Sequence, residues 1–191
     1  MYTEQQFQIA AFNGLTEKTI EEHKKLYAGY VKHANLINEK LASYKGDETK
    51  TYETAELYRR FSFEYNGMRN HECYFALLTG NSMNAPTLIE AINKQWGDVE
   101  TFKTAFITLA LTRGIGWAML SYDKQTNSLI MHWVDEQHLG QLQGTTPIIA
   151  LDMWEHSYVA DYQPSGKKQY VTDFLTQMNW SVAETNYEAA Q

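Results

Sequence analysis

The chain has 191 residues, 43% of them hydrophobic and 14% aromatic, enough apolar material for one substantial core or two smaller ones sharing it. Its formal net charge of −7, with no basic run interleaved with aromatics, argues against nonspecific nucleic-acid binding. No apolar stretch approaches the roughly 20 residues of a membrane span, the N-terminus lacks the basic region and apolar core of a signal peptide, and the single cysteine, Cys73, permits neither an intramolecular disulfide nor a cysteine-based zinc site, so a cytoplasmic protein is expected.

From Thr16 to about Ser43 the pattern predicts a long helix, with Thr16 as N-cap and apolar positions at Ile20, Tyr27, Tyr30, Val31, Ala34, Ile37 and Leu41. Tyr44 to Asp47 ends it, and a second helix is expected from about Thr51 through Leu78, with Asn66-Gly67 marking a kink or a close approach of the backbone to a neighbour. The two segments suggest an antiparallel hairpin. Residues 79–86, rich in Gly, Asn, Ser and Pro, give the boundary between an N-terminal domain, 1–82, and a C-terminal domain, 83–191. Helices are expected at 87–93 and 98–112, then strands at 116–122, 128–134 and 147–151, the first two joined by a polar turn, and a helix-rich close from Trp154 to Ala190. The fold class is α+β: a helical hairpin, then a small three-stranded antiparallel sheet surrounded by helices.

The residues that could carry chemistry are the histidines and their neighbours. Asp152 and His156 stand four residues apart at the mouth of the apolar run 147–151, a spacing that suits two metal ligands and that chance also produces often. Of the other histidines, His23 lies among charges on the first helix, where a surface role is common, and His71 precedes Tyr74-Phe75 on the second, where a packed core histidine is common. His33 and His132 read as surface or sheet histidines. Cys73 reads as a small buried hydrophobe rather than as a nucleophile beside His71. Mixed imidazole and carboxylate donors suit iron and manganese.

The segment Asp152-Met-Trp-Glu-His156, followed by Ser157-Tyr158 and ending in Met178-Asn179-Trp180, closely resembles the C-terminal signature of the iron/manganese superoxide dismutases. His23 ahead of Tyr30-Val31, Asn70-His71, and Gly114-Ile-Gly116-Trp117 resemble further elements of that family, in order, over about residues 16–180. The resemblance implies a superoxide dismutase with one iron or manganese ion per subunit, ligated by His23, His71, Asp152 and His156. It implies Tyr30 as the phenol at the substrate entrance, one residue nearer its histidine than is usual, and Val159 in place of a family tyrosine. Members place a Gln or His beside the metal's solvent, from the second helix or from the sheet. The helical position is Gly67, so His138 is expected in that role, with the adjacent Gln137 as the alternative. The resemblance also implies a homodimer in which Glu155 bridges to the other subunit's His156; because the chain is acidic overall, steering of superoxide is expected from Lys24, Lys25, Lys167 or Lys168. Two other functions use the same residues: a 2-His-1-carboxylate oxygenase, and a metal-binding or structural dimer of this fold without turnover.

Overall fold

The computed structural model describes residues 1–191. Helix α1 spans Glu17–Ser43 and α2 spans Thr51–Leu77; they pack side by side as the expected antiparallel hairpin. The Thr16 hydroxyl caps α1 by accepting from the Thr19 amide at 3.3 Å, satisfying one of the amides that a helix start leaves without a partner. Thr16 also donates its own amide to the Asp161 carboxylate at 2.9 Å, which ties the start of α1 to the C-terminal half.

After the segment that leads out of the hairpin come α3 (Pro86–Trp96) and α4 (Val99–Ala110), the latter capped by Asp98. Three strands follow: β1 (Gly116–Asp123), β2 (Ser128–Asp135) and β3 (Thr145–Asp152), antiparallel in the order β2-β1-β3. The chain closes with a single helical turn at Glu155–Ser157, then α5 (Val159–Tyr162), α6 (Lys167–Gln177) and α7 (Trp180–Ala190). The fold is α+β, as the residue pattern predicts.

β3 starts two residues earlier than expected, at Thr145 rather than Pro147. A proline lacks the donor for a ladder, but β3 lies at a sheet edge, and the register shift at Leu120/Ser121 accommodates it. Central strand β1 begins at Gly116, where a Cβ would lie 2.0 Å from the Val134 carbonyl oxygen; only glycine allows β1 and β2 to approach there. One apolar core runs through the molecule, from Tyr27 and Val31 of α1 through Met68 and Phe75 of α2 to Trp117, Ile149, Phe174 and Trp180. Two helices and two strand ends therefore converge on one buried point.

Candidate metal centre

His23 of α1 and His71 of α2 meet across the hairpin with ring centroids 4.9 Å apart. Asp152, the last residue of β3, pairs with Trp117 of β1, and the turn after it carries His156 back toward the same point. Asp152 Oδ2 stands 3.0 Å from His23 Nε2, 3.2 Å from His156 Nε2 and 3.6 Å from His71 Nε2. The four ligand atoms lie within 4.8 Å of one another. His23, His71 and Asp152 are buried, while the His156 side chain keeps 26% exposure. All four residues expected as metal ligands are brought together, and the third imidazole distinguishes the set from a 2-His-1-carboxylate arrangement.

Local bonds set the orientation of each donor. The Asp152–His156 turn is an Asx-type turn: Asp152 Oδ1 accepts the Trp154 amide at 2.8 Å, leaving Oδ2 for the histidines. The Asp152 carbonyl accepts from the Ser157 hydroxyl at 2.9 Å and from the Tyr170 hydroxyl at 3.0 Å, so the backbone beneath the carboxylate is held as well. His71 Nδ1 donates to the Gly67 carbonyl one helical turn earlier, at 2.6 Å. That bond places the ring proton on Nδ1 and leaves the lone pair on Nε2, facing the cluster.

His71 Nε2 is fully buried and has no hydrogen-bond partner. A buried unpaired nitrogen costs about 1–3 kcal/mol, and its lone pair, aimed at a carboxylate and two further imidazoles, fits a cation. The protonation states agree. Burial, followed by the positive charge of His23, holds His71 down to about 3, and burial likewise lowers His23. Burial alone would raise Asp152, but His156 and His23 outweigh it and hold the carboxyl below its ordinary range. Neutral imidazoles and an ionised carboxylate are the forms that ligate metals.

A second ring of residues encloses the cluster. Trp117 packs edge-on to His71 at 5.0 Å, and its indole donates to Gln137 Oε1 at 2.9 Å. Gln137 Nε2 donates to the Tyr30 hydroxyl at 3.0 Å, and the Tyr30 ring lies 5.1 Å from His71. Of the two residues expected for the place beside the metal's solvent, it is Gln137, fully buried, that is joined to Tyr30, while the His138 ring packs against Phe63 at 5.6 Å. The cause is the loop between β2 and β3. Asp135 and Leu139 bridge across a turn that sets Glu136 at φ 51°, Asn70 donates to the Gln137 carbonyl at 3.1 Å, and Trp154 donates to the Glu136 carbonyl at 3.1 Å. Those bonds turn residue 137 inward and residue 138 toward the rim.

The shortened interval from His23 to Tyr30 also has a physical reading. Seven residues make about two turns at roughly 3.6 residues per turn, so both side chains leave the same face of α1. Gly67 completes the fit: a Cβ there would stand 2.6 Å from Tyr30 Cδ1, so the ring rests on bare α2 backbone. The glycine therefore marks a close approach, not a kink, and α2 runs through it unbroken.

Comparison with known proteins agrees with this geometry. Residues 84–186 match the family model described as iron/manganese superoxide dismutases, C-terminal domain. A protein of Cupriavidus metallidurans named superoxide dismutase (Fe) is 35% identical over 185 residues, covering 95% of this chain and 92% of its own length. One of Aeropyrum pernix named superoxide dismutase (Mn/Fe) is 30% identical over 189 residues, covering 94% of this chain and 87% of that protein. One of Mycolicibacterium fortuitum named superoxide dismutase (Mn) is 31% identical over 173 residues, 88% of this chain and 82% of that protein. These names span both metals.

Proposed function

The chain belongs to the iron/manganese superoxide dismutase family, and we propose that it disproportionates superoxide using one iron or manganese ion held by His23, His71, Asp152 and His156. When bound, such an ion supplies the one-electron couple, trivalent to divalent and back, by which two superoxide anions and two protons become O2 and H2O2. The observation that carries the reading is the convergence of three imidazole nitrogens on one buried carboxylate, with His71 Nε2 unpaired and facing it.

The chain's own residues supply orientation, exclusion of water and a proton. The Gly67 carbonyl fixes the tautomer of His71, and the Trp154 amide fixes the rotation of Asp152. Trp117, Tyr74 and Phe75 are fully or almost fully buried around the imidazoles and shut out bulk water. Burial keeps Tyr30 protonated well above the ordinary phenol range. Because Tyr30 Oη accepts from Gln137, its own hydrogen is left to donate, so Tyr30 is the group that holds a proton at the entrance and Gln137 sets its direction.

The same reading makes the protein a homodimer. Glu155 is exposed beside partly exposed His156, whose Nε2 is taken up by Asp152. A two-fold contact would let Glu155 accept from the partner subunit's His156 through its other ring nitrogen. The start of the matched family model at residue 84 supports a division into residues 1–82 and 83–191. No helix is long and apolar enough to cross a membrane, and the lone Cys73, with burial pushing its thiol up to about 12, is consistent with a cytoplasmic setting.

The test is superoxide dismutation, followed by pulse radiolysis, on protein loaded separately with iron and with manganese and analysed for metal. Activity in at least one form, proportional to metal content, is expected. Inactivity of both fully loaded forms would overturn the reading.

A further inference from the structure

In a chain of net charge −7, a small anion needs local positive charge at the approach to Tyr30. Three of the lysines that could supply it are already engaged. Lys24 and Lys25 each pair with a glutamate three residues earlier, at 2.9 and 2.7 Å. Lys167 donates to the Thr112 carbonyl and lies over Trp133.

Outward from Tyr30 the structure shows a different arrangement. The Phe63 ring stands 6.0 Å from Tyr30 and 5.6 Å from His138, and these three partly exposed rings lead from the surface to His71. Over Phe63, 3.7 Å from its centroid, sits the guanidinium of Arg60. Its Nε donates to Glu64 at 2.8 Å, and Glu64 is 7% exposed whereas Arg60 is 50% exposed. The pair is thus oriented, with the negative end buried in the wall and the positive end facing solvent. The Arg60 terminal nitrogens make no hydrogen bond within the chain, and the charges of Glu64 and Arg60 both reach Tyr30, acting oppositely on its acidity. His33 lies 3.8 Å from the far Glu64 oxygen, a second group able to offset the carboxylate when protonated.

We propose that Arg60, stacked on Phe63 and positioned by buried Glu64, is the cation that draws superoxide to the Tyr30 entrance. The inference rests on the dismutase reading and adds to it the residue through which a small anion is captured. Glu64 is a positioning residue, since it faces Arg60 rather than the substrate path.

The experiment compares Arg60→Gln, Arg60→Lys and the parent, each metal-analysed and loaded to the same occupancy. Two rates are followed against ionic strength: kcat/KM for superoxide, and the association rate of azide, a probe anion, by stopped-flow absorbance. One unit charge several Å from the path is worth about threefold at low salt. Arg60→Gln should therefore lower both rates roughly threefold with kcat unchanged, and its salt dependence should flatten until it meets the parent near about 1 M salt, where the Debye length is about 3 Å. Arg60→Lys keeps the charge and should stay within about twofold of the parent. Unchanged rates and salt slope in Arg60→Gln would overturn the proposal, as would equal losses in both variants, which would indicate packing on Phe63 rather than charge. If the parent lacked dismutation, the dismutase reading would fall, while the azide rates would still decide the role of Arg60.

Discussion

The metal cluster and the proposed entrance beside it are built by different rules. The cluster draws one donor from each of α1 and α2 and two from the end of β3 and its turn, and every donor except His156 is buried with its orientation fixed by backbone or by packing. The proposed entrance is a layer of partly exposed rings, Tyr30, Phe63 and His138, with Tyr30 packed on His71 and linked through the buried Gln137 amide to Trp117. A redox ion requires fixed donors in both oxidation states, whereas the path that feeds it need only present a proton donor and the right charge. The interior is therefore held tightly while the rim is free to differ in spacing and residue type.

Removing a donor should have the largest effect. Asp152→Asn keeps an oxygen for the Trp154 amide, so the fold should survive, but it removes the only negative charge facing the three imidazoles. Metal affinity should drop by more than about 100-fold, beyond the usual cost of losing an outer partner, and dismutation should fall with it; metal analysis after dialysis against a chelator measures this. Retention of a full equivalent of metal would erase the distinction between a strict interior and a permissive rim.

Acid should act next, and most strongly on the interior. His71 is held down to about 3 and His23 is also lowered, so as pH falls below the ordinary value of 6.5 the unfolded chain takes up protons that the native metal-free protein refuses. Stability of the metal-free protein should then fall with decreasing pH, by roughly 1.4 kcal/mol per pH unit for each histidine that stays neutral. Asp152, depressed from its ordinary 3.8, adds a loss of the same sign below that value. Urea unfolding between about pH 7.5 and 4 checks the slope; a flat profile across 6.5 would mean that these imidazoles protonate in the folded state.

Gln137 and His138 are adjacent and should behave differently. Gln137→Ala leaves the buried Trp117 indole N–H and the Tyr30 hydroxyl without their partner, and should cost about 1–3 kcal/mol and about 10- to 100-fold in turnover, read by thermal unfolding and by kcat. His138→Ala should stay within about twofold. Reversed magnitudes would give the role to His138 instead.

Gly67→Ala is the gentlest probe. The new methyl would stand 2.6 Å from Tyr30 Cδ1, an overpacking cost of about 1–3 kcal/mol, against roughly 1 kcal/mol that alanine gains over glycine in a helix. A net loss of up to about 2 kcal/mol is expected, with Tyr30 displaced from Gln137 and metal content unchanged. Unaltered activity and stability would show that the Tyr30 ring has room to spare.

The same division decides what could be read from the sequence. The hairpin and the three strands were legible because helical and strand periodicities point to the core, whereas the four donors were legible only through the ordered resemblance to the family, since His23 and His71 taken alone read as a surface and a core histidine. The choice between Gln137 and His138 was not, because it depends on Glu136 adopting φ 51° and on Asn70 and Trp154 gripping the loop, contacts that join residues far apart in the chain. Nor was the orientation of the Arg60–Glu64 pair, since a helical Arg and Glu four residues apart look like any surface pair until burial shows that one end is in the wall.

The central claim is that one buried cluster holds the redox ion. Crystals of active protein, with diffraction recorded at the iron and manganese absorption edges, test it most directly. The account predicts a single anomalous peak per chain, in contact with His23 Nε2, His71 Nε2, Asp152 Oδ2 and His156 Nε2. A peak elsewhere, or active protein with no iron or manganese at those four atoms, would contradict it.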